Sequence, residues 1–281
     1  MKDLSCWGTG ISTLDVSNNP ELRMLVCNDN NLETLDISKN PNIETLECRN
    51  NNIKALNLSA NPNLKWLRFS NNYVTAIDLS HCTALEEVTC QYNLLTAIDV
   101  SMLPELRHLD FSNYDGPEDR EGNKITAVDL SQNPLLEGLG CGKNGITELN
   151  CSHNQISALD VSNMPSLRVL ECQQNNLTSL NVKNNPLLES LMCGNDSITS
   201  TSLNNTITEL DVSSCPNLQN LSLGNYGNNE EGLDDEALSA LQYTAGNKVT
   251  QIDLSNNSQL RWLSLSFNRV QTVRCLEHAH A

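Results

Sequence analysis

The pattern Leu-x-Cys returns every 21 residues, and this repetition limits the fold more than any other property of the chain. It stands at Leu4-Ser5-Cys6, Leu25-Val26-Cys27, Leu46-Glu47-Cys48, Leu67-Arg68-Phe69, Val88-Thr89-Cys90 and Leu109-Asp110-Phe111 without a slip. It continues at Leu139-Gly140-Cys141, Leu170-Glu171-Cys172, Leu191-Met192-Cys193, Leu221-Ser222-Leu223 and Leu263-Ser264-Leu265. Extra residues enter at four places: 9 after Phe111, 10 after Cys141, 9 after Cys193 and 21 after Leu223. A fixed period of this length calls for stacked units, each burying its apolar side chains against its neighbours. A stack needs only a narrow core per turn, so 38% hydrophobic and 4% aromatic residues suffice for 281 residues.

One unit reads Leu22-x-x-Leu25-x-Cys27-x-x-Asn30-x-Leu32-x-x-Leu35-Asp36-Ile37-Ser38-x-Asn40-Pro41. Within Leu25-x-Cys27 the side chains alternate inward and outward, as a strand requires. Asn30 ends the strand, because its amide can bond backbone groups left free in the turn. Asn30, Asn51, Asn72, Asn93, Asn144, Asn175 and Asn268 are expected to form one interior ladder. Asn19, Asn40, Asn61, Asn133, Asn185 and Asn257 are expected to form a second, with Pro20, Pro41, Pro62 and their equivalents setting the return corner.

LxxLxCxxNxLxxLDLSxNP resembles a leucine-rich repeat. It is most similar to the 21-residue bacterial class called IRREKO, in which the two halves of a repeat mimic each other. The resemblance covers nearly all of the chain outside the four insertions. It implies a β-rich, right-handed solenoid of about eleven coils, with few helices and a parallel sheet on a concave, ligand-binding face. Internalin-like surface proteins are the related bacterial proteins. The resemblance therefore implies a non-enzymatic module that binds a protein or glycan, on the bacterial cell surface or in the extracellular space. The alternative is a structural spacer or adhesin stalk with inert faces. The pattern does not resemble the LPxLP repeats of ubiquitin-ligase effectors.

Residues 1–275 read as one repeat domain, with insertions near 114–122, 145–154, 196–204 and 226–246. The tail 276–281 looks like a tag or cloning remnant. Leu149-Asn150-Cys151-Ser152-His153-Asn154 satisfies both half-patterns at once. A local bulge is the expected outcome, since it keeps later Cys positions in register; a swap of the two halves is the alternative. In the other three insertions the first-ladder Asn is replaced by Tyr114, Asp196 and Tyr226. Loss of the amide should remove the turn-closing bonds and let the chain leave the coil. Two of these insertions rejoin through Gly-Asn-Lys-[Ile/Val]-Thr, and residues 233–241 have the apolar spacing of a short helix. Repeat strands stand at both ends without a polar cap, so the native polypeptide is expected to continue, or the ends to self-associate.

The 34 acidic against 17 basic residues give a formal charge of −17, which argues against nucleic acid and against an anionic membrane surface. No apolar run is long enough to enter a membrane, and the first residues lack the apolar run of a secretory signal. Cys6, Cys27, Cys48, Cys90, Cys141, Cys172 and Cys193 share the inward slot with Phe69, Phe111, Leu223 and Leu265, which makes them core side chains. Cys82 and Cys215 sit in the second asparagine slot, where a thiol can replace the amide. Asp15, Asp36, Asp78, Asp99, Asp129, Asp160, Asp211 and Asp253 form a column in which Asn57, Asn150 and Asn181 also appear. Stacked carboxylates could collect Ca²⁺, but free exchange with Asn suits local hydrogen bonding better. No metal site, cofactor motif or catalytic motif is present.

The candidate ligand-binding residues are the outward ones flanking each inward Leu and Cys: Glu47, Arg49, Trp66, Arg68, Glu87, Gln91, His108 and Asp110. A Trp beside Arg, amide and carboxylate groups has the composition of a recognition surface. Gly138, Gly140 and Gly142 then leave a strip without side chains, read here as the floor of a notch. Trp262, Phe267 and Asn220 offer a second patch.

Overall fold

The computed structural model describes residues 1–113, 122–195, 204–224 and 246–275. They form a parallel β-solenoid of about eleven turns at the 21-residue spacing, gathered into two compact units, Met1–Gly145 and Ile146–Ala281. Among the described residues there is no helix, and hence none long and apolar enough to cross a membrane. The helix expected over 233–241 lies outside the described residues.

Every strand is three residues long. In Met1–Gly145, β1 (Asp3–Ser5), β2 (Met24–Val26), β3 (Thr45–Glu47), β4 (Trp66–Arg68), β5 (Glu87–Thr89) and β6 (His108–Asp110) pair in parallel in chain order. The short β7 (Ala127–Asp129) belongs to the second half of its repeat, and β8 (Gly138–Gly140) closes the sheet against β6. Leu4, Leu25, Leu46, Leu67, Val88, Leu109 and Leu139 are aligned strand to strand. In Ile146–Ala281, β9 (Glu148–Asn150), β10 (Val169–Glu171), β11 (Ser190–Met192), β12 (Asn220–Ser222) and β14 (Trp262–Ser264) pair in that order, while β13 (Gln251–Asp253) pairs with β15 (Thr272–Arg274).

The expected bulge at Leu149 is not there. Leu149 pairs with Leu170 and Glu148 with Val169, so the stretch is a full strand of the second sheet. Counted from Asn144 and Ile146 it occupies the second half of a repeat, yet it serves as a first-half strand. The two half-patterns are similar enough for one segment to fill either role, and the register changes halves there.

The strands stop after three residues because the chain turns at once. Asp29, Asn50, Asn71, Tyr92, Lys143, His153, Gln174 and Phe267 all have φ between 49° and 58°, each immediately before a ladder asparagine. The asparagine then ties two coils together. Asn51 Nδ2 donates to Cys27 O at 2.9 Å in the preceding coil and to Cys48 O and Arg49 O, both at 3.1 Å, in its own. Its Oδ1 accepts from Leu32 N at 3.0 Å. Asn72, Asn93 and Asn175 repeat the arrangement.

The turn-closing bonds are not lost at the insertions, contrary to expectation. Asn123 Nδ2 donates to Cys90 O and Phe111 O, and its Oδ1 accepts from Leu95 N. Asn205 and Asn247 do the same for their coils. The first asparagine after each insertion thus takes the ladder slot. The bases are clasped as well: Asn113 Oδ1 accepts from Asn123 N at 2.9 Å, and Asn113 Nδ2 donates to Asn123 O at 2.8 Å. Asn195 and Asn205 form the same reciprocal pair at 2.9 and 3.3 Å. Tyr114, Asp196 and Tyr226 lie outside the described residues.

In the second ladder Asn40, Asn61, Asn133, Asn185 and Asn257 each donate to two carbonyls of the preceding coil. Cys82 Sγ and Cys215 Sγ replace them, donating to Leu58 O at 3.7 Å and Val182 O at 3.6 Å. The exchange works because the slot asks only for a donor. The Oδ1 atoms of these five asparagines are buried without a hydrogen-bond partner among the described residues, and a thiol leaves no such acceptor behind.

The aspartate column is a set of local turns. Oδ1 of Asp15, Asp36, Asp78, Asp99, Asp129, Asp160, Asp211 and Asp253 accepts the amide of the serine two residues on, at 2.9–3.0 Å. Asn57 and Asn150 do the same at 3.1 Å, and Asn181 accepts the amide of Lys183 at 3.1 Å. Serine hydroxyl and amide bonds hold the carboxyls of Asp15, Asp78, Asp99, Asp160, Asp211 and Asp253 below the usual carboxylate range.

Nine of the eleven cysteines are buried free thiols; Cys6 is partly covered and Cys275 exposed. Burial pushes Cys27, Cys151 and Cys193 up to about 12, and Cys82 and Cys215 to about 11. A native titration with an aromatic disulfide at about pH 8 should therefore register two thiols, Cys6 and Cys275, with the rest appearing only in denaturant. A native count well above two would contradict this burial.

Candidate functional site

The three-residue strands present outward side chains in columns. In Met1–Gly145 the first strand position carries Met24, Thr45, Trp66, Glu87 and His108, and the third carries Val26, Glu47, Arg68, Thr89 and Asp110. Arg49, Ser70, Gln91 and Ser112 follow each inward Cys or Phe. With strands about 4.8 Å apart, side chains one coil away are in reach of each other.

The structure brings four of the candidate residues into one ion-pair cluster. Arg68 Nε and Nη2 take both oxygens of Glu87 at 2.7 Å, a bidentate pair, while Nη1 reaches Glu47 Oε1 at 2.8 Å. Arg49 Nη2 holds the other Glu47 oxygen at 3.0 Å, and Asn28 Nδ2 adds a bond to it at 3.1 Å. Partial burial opposes ionisation of Glu47, but the bonds from Asn28, Arg49 and Arg68 outweigh it and keep its carboxyl below the usual range. Glu87 is held low chiefly by Arg68, and Arg68 is raised in turn by Glu87. The pairs are only partly exposed, with side-chain exposure of 30% at Arg68 and 16% at Glu47. The cluster forms a hydrogen-bonded plate on the sheet.

Gln91 and Asp110 form a second group. Gln91 Nε2 donates to Asp110 Oδ2 at 2.7 Å, and Ser70 Oγ donates to Gln91 Oε1. Asp110 Oδ1 accepts from Ser112 N at 3.0 Å and Ser112 Oγ at 2.7 Å. Trp66 is half-buried, with Lys65 Nζ 5.8 Å from its ring centroid. His108 is exposed and is the register partner of Glu87 on the adjacent strand, where it adds to the field that keeps the Glu87 carboxyl low.

The glycine strip is not an open notch. A Cβ on Gly138 would lie 2.6 Å from His108 Nδ1, and one on Gly140 would run into the Asp110 carboxylate. The side chains of β6 lean over β8 and fill the space that the glycines leave. Asn220 and Trp262, from the second candidate patch, are register partners on β12 and β14, with Trp262 38% exposed.

One pattern escaped the sequence reading. From β2 to β6 and on to β8 the residue just before the strand alternates in sign, as Arg23, Glu44, Lys65, Glu86, Arg107 and Glu137, and Arg168 and Glu189 precede β10 and β11. Arg23–Glu44, Lys65–Glu86 and Arg107–Glu137 pair at 3.3, 3.8 and 2.7 Å, and Arg168 pairs with Glu189. Such exposed pairs are individually weak, but a one-coil slip would set like charges side by side. The 21-residue alternation of sign was there to be found.

No protein-family model matches the chain, and no curated protein matches it. Among solved structures it is similar to the functional domain of InlJ from Listeria monocytogenes, a domain described as including a cysteine ladder. The identity is 29%, covering 98% of this chain and 62% of that one, with a TM-score of 0.47. A leucine-rich-repeat protein of Leptospira interrogans is 22% identical over 92% of this chain and 64% of that one, with a TM-score of 0.43. The internalin InlF of Listeria monocytogenes is 20% identical over 99% of this chain and 82% of that one, with a TM-score of 0.37. The chain thus spans less than two thirds of the InlJ and Leptospira chains. Its own 21-residue repeat, its three-residue parallel strands and its asparagine ladders give the chain the parallel β-solenoid fold of a leucine-rich repeat.

Proposed function

We propose that the chain is a binding module of a bacterial surface or secreted protein, and that it engages a protein or glycan through the outward strand face of Met1–Gly145. The observation that supports this reading is the plate formed by Glu47, Arg49, Arg68 and Glu87. Polar side chains on this face are fixed by one another before any ligand arrives, so little side-chain entropy remains to be lost on association. Trp66 and Gln91 border the plate and supply the aromatic and amide groups that recognition surfaces use.

A screen of the chain on protein and glycan arrays, followed by Trp66→Ala with Arg68→Ala, tests the reading. The double variant should bind the captured ligand at least about tenfold more weakly, with its melting transition retained. Unchanged binding would remove this face from the function, and a blank array would favour the inert spacer.

A further inference from the structure

We propose that a depression just past the C-terminal ends of β3 to β6 binds a neutral, hydroxyl-rich saccharide, an assignment that rests on the binding-module reading above. The depression has a volume of about 400 Å³, within the range of small-ligand sites. Arg49, Asn71, Gln91, Tyr92, Asp110 and Ser112 are among its lining residues. Asn71 and Tyr92 have φ of 56° and 49°, and Tyr92 Oη donates to Asn113 O, so the tight turns of the repeat hold the walls.

The charged groups of the depression are already engaged, so the hydrogen-bonding groups still open select the occupant. Arg49 is already neutralised by Glu47 at 3.0 Å. Asp110 is satisfied by neutral donors, Gln91 and Ser112. The groups still open are of opposite kinds: Arg49 Nε, a donor, and Asn71 Oδ1, an acceptor, are buried without a hydrogen-bond partner among the described residues. Both residues line the depression. A hydroxyl accepts from the first and donates to the second. A carboxylate or phosphate has nothing to donate to Asn71, and an ammonium has nothing to accept from Arg49. An apolar group would leave both unsatisfied. A peptide backbone has both functions, but its side chains want apolar sockets, and beyond the Tyr92 ring the lining consists of amides, hydroxyls, a carboxylate and a guanidinium.

The test titrates the full chain with neutral oligosaccharides, acidic oligosaccharides, a triglycine peptide and inorganic sulfate. Neutral oligosaccharides should bind, and Gln91→Ala or Asn71→Gly should each weaken binding at least about tenfold. Glycine is chosen at position 71 because it accepts positive φ. Lys54→Ala, which touches only Glu33 outside the depression, should change nothing. Asp110→Asn keeps the shape of its side chain and serves as a second variant should either of the others fail to fold. Preference for sulfate, acidic sugars or the peptide would overturn the assignment, as would saccharide binding indifferent to all three depression variants. A protein ligand lost with Trp66→Ala and Arg68→Ala, alongside absent saccharide binding, would sink this inference and leave the binding-module reading standing. If no ligand responds to any of these substitutions, both fall.

Discussion

Asn72→Ala is expected to lower the stability of the chain by about 3–5 kcal/mol, among the largest effects of any single side-chain truncation here. Asn72 is 1% exposed and serves four backbone groups. Its Nδ2 donates to Cys48 O and Phe69 O, both at 2.9 Å, and to Ser70 O at 3.3 Å. Its Oδ1 accepts from Ile53 N at 2.9 Å. Alanine strands those groups in a space closed to water, and each stranded group costs about 1–3 kcal/mol. Asn72→Asp should do no better, because an oxygen would then face the three carbonyls. Asn61→Ala is the internal comparison, since Asn61 donates to two carbonyls and its Oδ1 is unpartnered among the described residues. Urea unfolding of the variants side by side checks the ranking. A loss below about 1 kcal/mol at Asn72 would show that the ladder is ornamental.

Gly194→Ala is the second large effect, with an expected cost of at least about 3 kcal/mol. A Cβ there would sit 2.8 Å from Gly224 C and closer still to Gly224 O. Gly224 has no room to retreat, since a Cβ of its own would meet Ser266 N at 2.6 Å. The obstacles that face Gly194 are all main chain, so relief requires the coils after β11 and β12 to separate and stretch Asn195 N–Gly224 O, now 3.3 Å. Gly145→Ala makes a fair control, as its Cβ would meet only Thr126 Cγ2 at 3.7 Å. Thermal melts of the two variants should differ by many degrees; equal melting would mean that the backbones part easily.

The strands, both ladders and the serine-bonded aspartates were legible because each demands a particular residue at a particular step of the period. Asn30 and its equivalents cannot be exchanged freely when three carbonyls and an amide depend on each. Where the period broke, reading by count failed. Tyr114, Asp196 and Tyr226 stood in the counted slot, while Asn123, Asn205 and Asn247 hold the bonds, although the Gly-Asn-Lys-[Ile/Val]-Thr motif carried two of them in plain view. Leu149 was misjudged for the opposite reason: its neighbours satisfy both half-patterns, and pattern alone does not choose between two adequate solutions. On the strand face, spacing placed Glu47, Arg68 and Glu87 on successive strands. That they neutralise one another depends on rotamers, to which the repeat is indifferent. The glycine strip failed as a notch because a missing side chain is also an invitation to a neighbouring one.

The reciprocal asparagine clasps have a consequence for how such a chain can change over generations. Asn113 with Asn123, and Asn195 with Asn205, clasp the coil through bonds made by the paired asparagines themselves. Closure entropy grows only slowly with the length of a spliced segment. The donors and acceptors of these clasps all belong to the paired asparagines, so substitution elsewhere leaves them in place. The clasp acts as a socket into which new surface can be fitted and tried by selection, while the stack beneath it keeps its register.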